Sequence, residues 1–111
     1  MNHIMKLNIE PFNKVKSGQK IIESRLFDEK RQQINLGDTI QFQLQPDLTE
    51  TVIAKVVALL RYPTFNDLMN DLPPQYFGHQ KKEDALSEIE AFYSPQEQQK
   101  YSVLGIKIQS F

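Results

Sequence analysis

Gly18, Lys20, Glu23 and Arg25 place an ammonium, a carboxylate and a guanidinium within six residues, directly after a glycine. Together such groups can hold an anion or a developing oxyanion, and the carboxylate can act as a general base or read an exocyclic amine. Ile21 and Ile22, inside the same stretch, mark it as part of a core strand. Charges in a core strand must pair with one another, line a cleft, or do both, because an unpaired buried charge is too costly. In an extended strand Glu23 and Arg25 share one face about 7 Å apart, and Lys20 falls on the opposite phase. Only a bend or bulge just after Gly18 brings Lys20 to their side. With Lys20 close, Lys20 and Glu23 are a candidate catalytic pair. Without it, a Glu23 to Arg25 ion pair orders the rim and leaves Lys20 in solvent.

Other residues extend the candidate binding surface. Arg61 and Tyr62 close a long β-branched run and offer a guanidinium for phosphate and a ring for stacking; a barrel-edge anchor is the competing role for Tyr62. Lys30 and Arg31 continue the positive edge, or form a solvated turn with Asp28 and Glu29. Tyr76, Phe77 and Gly78 come after a double proline as an aromatic loop that fits either a lid or a plug.

The net charge is −1, yet residues 1–61 carry nine Lys/Arg against seven Asp/Glu, and residues 62–99 carry two against seven. A mildly acidic chain can thus present a local positive surface between Lys14 and Arg31. Any RNA affinity on that surface should be modest and steeply salt-dependent. The 111 residues suit one domain, 1–111, with one core. No apolar run approaches bilayer-spanning length and no secretion signal opens the chain, so a cytoplasmic protein without membrane contact is expected. The absence of cysteine excludes disulfides and thiolate catalysis. His3 and His79 are the only histidines, without acidic residues at ligand spacing, so no metal and no cofactor are expected; they read as a disordered terminus and a surface loop.

Positioning these groups falls to a short series of elements. Met5 to Ile9 alternates weakly as an edge strand closed by Pro11, and Phe12 to Ser17 forms a short helix ended by Gly18. The charged strand Lys20 to Arg25 comes next, then a turn at Leu36-Gly37-Asp38. Thr39 to Leu44 alternates cleanly, and Thr49 to Leu60 resumes as a long strand paired antiparallel to it. Thr64 with Asp67 starts a helix that Pro73-Pro74 ends. A second helix covers Lys82 to Tyr93, burying Ala85, Leu86, Ile89 and Phe92. Ser94-Pro95-Gln96-Glu97 starts a third, and Val103 to Gln109 completes the sheet beside an early strand. Strands this few and this tightly turned point to an α+β fold, a small partly open mixed β-barrel flanked by helices.

At the level of motifs the chain resembles the ASCH domain family, a branch of the PUA-like superfold of small barrels. The resemblance rests on Gly18-x-Lys20-x-x-Glu23-x-Arg25, on residues 22–31 and 36–42, on Arg61-Tyr62 before Phe65, on Phe92-Tyr93 and on Lys100-Tyr101. It implies a PUA-like barrel with a cleft between barrel and helices, the motif residues at its mouth, and a role in RNA metabolism. Some small bacterial members of the family are amidohydrolases that deacetylate N4-acetylcytidine with a lysine, a threonine and a glutamate. Lys20 matches the lysine, Glu23 stands three residues on in place of the threonine, and Glu83 is the nearest carboxylate in the helical insert.

Three functions are expected on these grounds. The first is an RNA, nucleotide or nucleoside binder, with Lys20, Arg25 and Arg61 on phosphate or base and Glu23 on an amino group. The second is a hydrolase of a modified nucleoside or of RNA using Lys20 and Glu23. The third is a protein-interaction module.

Overall fold

A computed structural model describes residues 1–111. Five strands form one curled sheet: β1 (Asn2–Leu7), β2 (Ile22–Leu26), β3 (Thr39–Leu44), β4 (Thr51–Tyr62) and β5 (Val103–Ser110). Their spatial order is β1-β3-β4-β5-β2. β1 lies parallel to β3, and the other pairs are antiparallel. The helices are α1 (Ile9–Lys16), α2 (Phe65–Asp71), α3 (Lys82–Glu90) and α4 (Pro95–Tyr101), with 3-10 turns at Arg31–Gln33 and Pro74–Phe77. The result is an α+β half-barrel, as expected, whose unpaired edges are β1 and β2. No helix is long and apolar enough to cross a membrane.

Alternation assigns the two faces. Met5, Leu7, Ile40, Phe42, Ala54, Val56, Leu104, Ile106 and Ile108 fill the concave interior with Phe12 and Val15 of α1. Ile22, Leu26 and Val103 face the other way, against Phe65, Leu68 and Met69 of α2, Phe77 and Ala85. β4 serves both clusters because its register with β5 shifts between Val56 and Ala58. A bulge of this kind inverts the phase of the residues beyond it, which lets Leu59 pack on the interior and Leu60 on the helical side.

Several local expectations are corrected. The first strand ends at Leu7 and α1 begins at Ile9, so Pro11 lies inside the first helical turn. Proline is accepted there because the first-turn N–H groups have no intrahelical partner. His3 belongs to β1, not to a disordered terminus; its Nε2 is 2.9 Å from Asp38 Oδ2. α3 stops at Glu90, and Phe92 is 66% exposed instead of joining Ala85 in the core. The Ser94 start of α4 holds as a full capping box with Glu97.

Candidate functional site

β2 carries Glu23 opposite Ile106 and Arg25 opposite Leu104, so both charged side chains enter the concave face beside core residues. Lys20 joins them because it precedes the strand. Gly18 adopts φ +82° past the end of α1, the Lys20 N–H donates to Lys14 O, and the Ile21 N–H donates to Tyr76 O. These bonds turn the chain so that Lys20 escapes the phase an unbroken strand from Lys20 to Arg25 would give it. Gly78, at φ +84°, lies against the turned segment, and a β-carbon on it would stand 3.3 Å from Lys20 Cβ.

Lys20 and Glu23 are almost wholly buried, 6% and 3% exposed. Lys20 Nζ donates to Glu23 Oε1 at 3.1 Å, the Ser24 N–H donates to the same oxygen at 3.0 Å, and Arg25 Nη2 lies 3.5 Å from Oε2. Burial alone would push the Glu23 carboxyl up, but the Lys20 and Arg25 charges and the two shorter hydrogen bonds hold it below its ordinary value. Burial would likewise lower the Arg25 guanidinium, yet the Glu23 charge beside it raises it above its ordinary value. The site therefore holds the Glu23 carboxylate between the Lys20 and Arg25 side chains. Arg25 also donates to the Lys6 carbonyl at 3.3 Å, linking β2 to β1 across the unpaired edges.

A cleft of about 790 Å³ opens at this seam. β1, the Lys20, Glu23 and Arg25 triad, the 3-10 turn with Lys30 and Arg31, and the α3 face with Ala85, Glu88 and Ile89 line it, together with Phe77, His79, Phe92 and Tyr93. Lys6, Lys20, Arg25, Lys30 and Arg31 outnumber Glu10, Glu23 and Glu88 among the lining groups. Arg31 is tethered through Nη1 to Asp28 Oδ2 at 2.9 Å, while its Nε is buried without an acceptor. Phe77 is buried against the helical core and forms a plug; Tyr76 is more exposed. His79 reaches Glu88 at 3.3 Å across the cleft wall. No group of three or more potential metal-ligating side chains is present.

Lys20, Glu23, Arg25, Lys30 and Arg31 are thus brought to one cleft. Arg61 and Tyr62 border a separate shallow depression. Arg61 lies in the same cross-strand row as Arg25 with Leu104 between them, but its guanidinium covers the Phe27 ring at 3.8 Å and donates to Ser102 Oγ. The Tyr62 hydroxyl donates to Asp71 at 2.7 Å. The β1 edge, His79, Glu88 and Tyr93 are additional cleft groups that sequence reasoning missed. Only Tyr93 had a local signal, its place beside Phe92 near the end of an amphipathic stretch; the rest arrive from distant segments.

Comparison with known proteins fits this architecture. The ASCH domain family profile matches residues 5–110. A crystal structure of the hypothetical protein PH0355 is similar at 30% identity, with all of both chains covered and a TM-score of 0.87. Protein PF0455 from Pyrococcus furiosus, solved by NMR, shares 29% identity over 100% of this chain and 98% of that one, with a TM-score of 0.78. An ASCH protein from Zymomonas mobilis shares the fold at 16% identity, over 98% of this chain and 67% of that one, with a TM-score of 0.60. No curated protein matches the sequence significantly.

Proposed function

The chain belongs to the ASCH domain family, often linked to RNA binding, and from the cleft its fold carries we propose that it binds a nucleotide, free or within single-stranded RNA. The observation that carries this reading is Arg31. Its Nε is buried with no acceptor, its Nη1 is fixed by Asp28, and the residue lines the cleft. A buried guanidinium N–H without an acceptor is expensive, and a phosphate oxygen is the acceptor that matches it. Lys30 stands next to it, and the cationic excess of the lining supplies the field. Glu23, a carboxylate lining the cleft, would accept from an exocyclic amine. A cytoplasmic setting suits a cysteine-free binder of this kind.

Titration of the purified protein with the four nucleoside monophosphates and with short single-stranded RNAs, at two salt concentrations, tests the reading. Binding that weakens at least fivefold in Arg31→Gln supports it. A steep salt dependence confined to the RNAs assigns the strand as ligand, and equal affinity for monophosphates assigns the free nucleotide. Failure of every probe to bind overturns it.

A second reading has its own observation, the 3.1 Å contact of Lys20 Nζ with Glu23 Oε1 inside the cleft. An ammonium and a carboxylate so placed can polarise an acyl carbonyl and deliver water to it, which would make the protein an amidohydrolase of an acylated nucleoside such as N4-acetylcytidine. Turnover of acylated nucleosides that vanishes in both Lys20→Ala and Glu23→Gln supports this; turnover surviving both removes it.

A further inference from the structure

The nucleotide reading leaves open how the base is held, and this inference rests on that reading. β1 is an edge strand, and the directions of its main-chain groups are fixed by its bonds. The carbonyls of Met1 and Leu7 accept from Thr39 and Gln45 on the β3 side. The N–H and C=O of one residue point to the same side of a strand and alternate along it. Ile4 and Lys6 therefore turn theirs to the open seam, in keeping with the bond from Arg25 to Lys6 O. With Lys6 O occupied, the Ile4 carbonyl and the Lys6 N–H remain side by side, an acceptor next to a donor, in residues that line the cleft.

Every nucleobase carries a donor and an acceptor side by side on its pairing edge, and proteins read unstacked bases through that edge. A flat ring meeting one acceptor and one donor also needs a surface to lie on. Phe92, 66% exposed, is the large aromatic that the cleft leaves uncovered. Base stacking on an exposed aromatic is a standard source of affinity for single-stranded nucleic acid. An added peptide strand fits the same edge poorly, because the Arg25 bond blocks it at Lys6.

We infer that the edge of β1 is the base-reading element, in which Ile4 C=O accepts from and Lys6 N–H donates to the pairing edge of a nucleobase stacked on Phe92. The test compares AMP with N6,N6-dimethyl-AMP and UMP with 3-methyl-UMP by calorimetry. In the native chain methylation should weaken binding roughly tenfold, the worth of a hydrogen bond lost in a desolvated site. Lys6→Pro deletes the N–H without touching the ladder, since edge strands accept proline where the N–H faces outward. It should bind the unmethylated probes roughly tenfold more weakly and discriminate less against methylation. An amide-to-ester change at the Met5–Lys6 bond should do the same without constraining the backbone. Lys6→Ala, which keeps the N–H, should retain the discrimination, and Phe92→Ala should weaken all four probes about fivefold or more. Binding that ignores methylation in the native chain, or full affinity in the ester variant, overturns this inference alone. Absence of binding by every nucleotide and RNA probe overturns the nucleotide reading and this inference with it.

Discussion

Arg25, on one edge strand, donates to the main-chain carbonyl of Lys6 on the other at 3.3 Å, so a side chain bridges the sheet where no ladder closes it. The same guanidinium balances Glu23 at 3.5 Å. One residue thus ties the shape of the cleft to its charge.

Replacing Arg25 with alanine should therefore cost about 2 kcal/mol, the scale of a hydrogen bond to a charged group. The loss should appear in urea unfolding as a lower midpoint. Arg25→Lys should recover only part of it, because a single guanidinium nitrogen, Nη2, contacts both Lys6 O and Glu23 and the shorter lysine side chain falls short of that point.

Glu23→Gln leaves the buried Lys20 ammonium without its counter-charge and should destabilise by about 3–5 kcal/mol, the cost of breaking a buried pair. Lys20→Met should cost less, since Glu23 keeps Arg25 and the Ser24 N–H. In the double variant Lys20→Met/Glu23→Gln more than half of the Glu23→Gln loss should return. A double-mutant cycle in urea reads the coupling directly.

Acid should unfold the protein through two carboxylates. Glu23 is held below its ordinary 4.5 against the pull of burial by the Lys20 and Arg25 charges. Asp38 is lowered from 3.8 to about 2, chiefly by its hydrogen bond with His3, then by the Asn35 N–H and the amino terminus. Both folded values lie below the unfolded ones, so the unfolded chain binds more protons as pH falls. Each contribution is complete above the unfolded value and is lost as pH drops through the folded one. Thermal melts should be flat with respect to these groups above pH 5 and fall steeply below 4. Asp38→Asn should lower the melting temperature at neutral pH and make the fall between pH 3.8 and about 2 shallower; an unchanged slope would disprove the assignment to Asp38.

Gly78→Ala and Gly37→Ala separate strain from positioning. Both glycines have positive φ, but a β-carbon at Gly37 meets nothing, whereas at Gly78 it stands 3.0 Å from Lys14 Cδ and 3.3 Å from Lys20 Cβ. Each substitution should cost about 1 kcal/mol in backbone strain. Only Gly78→Ala should cost more than that and also change nucleotide affinity, by displacing Lys20.

Much of the chain was legible because local rules and tertiary structure agree there. Thr39–Leu44 alternates without exception, and Ser94 with Pro95 and Glu97 starts α4 as the residues predict. The proximity of Glu23 and Arg25 comes from strand period alone. Phe92 departs from the core because its helical spacing continues past Glu90, where the helix itself ends. The engagement of Arg61 with Phe27 joins residues more than thirty positions apart, beyond the reach of any local pattern.

The sequence by itself determined most of the element types, the α+β class and the charged cluster that had to be paired or placed in a cleft, since periodicity, capping and the cost of buried charge act over a few residues. Tertiary structure decided that Lys20 turns inward, that Lys30 and Arg31 line the same cleft as the triad while Arg61 does not, and that the β1 edge faces the cleft. Those outcomes depend on bonds such as Ile21 to Tyr76 and Arg25 to Lys6, whose partners lie far apart along the chain and meet only when the sheet curls.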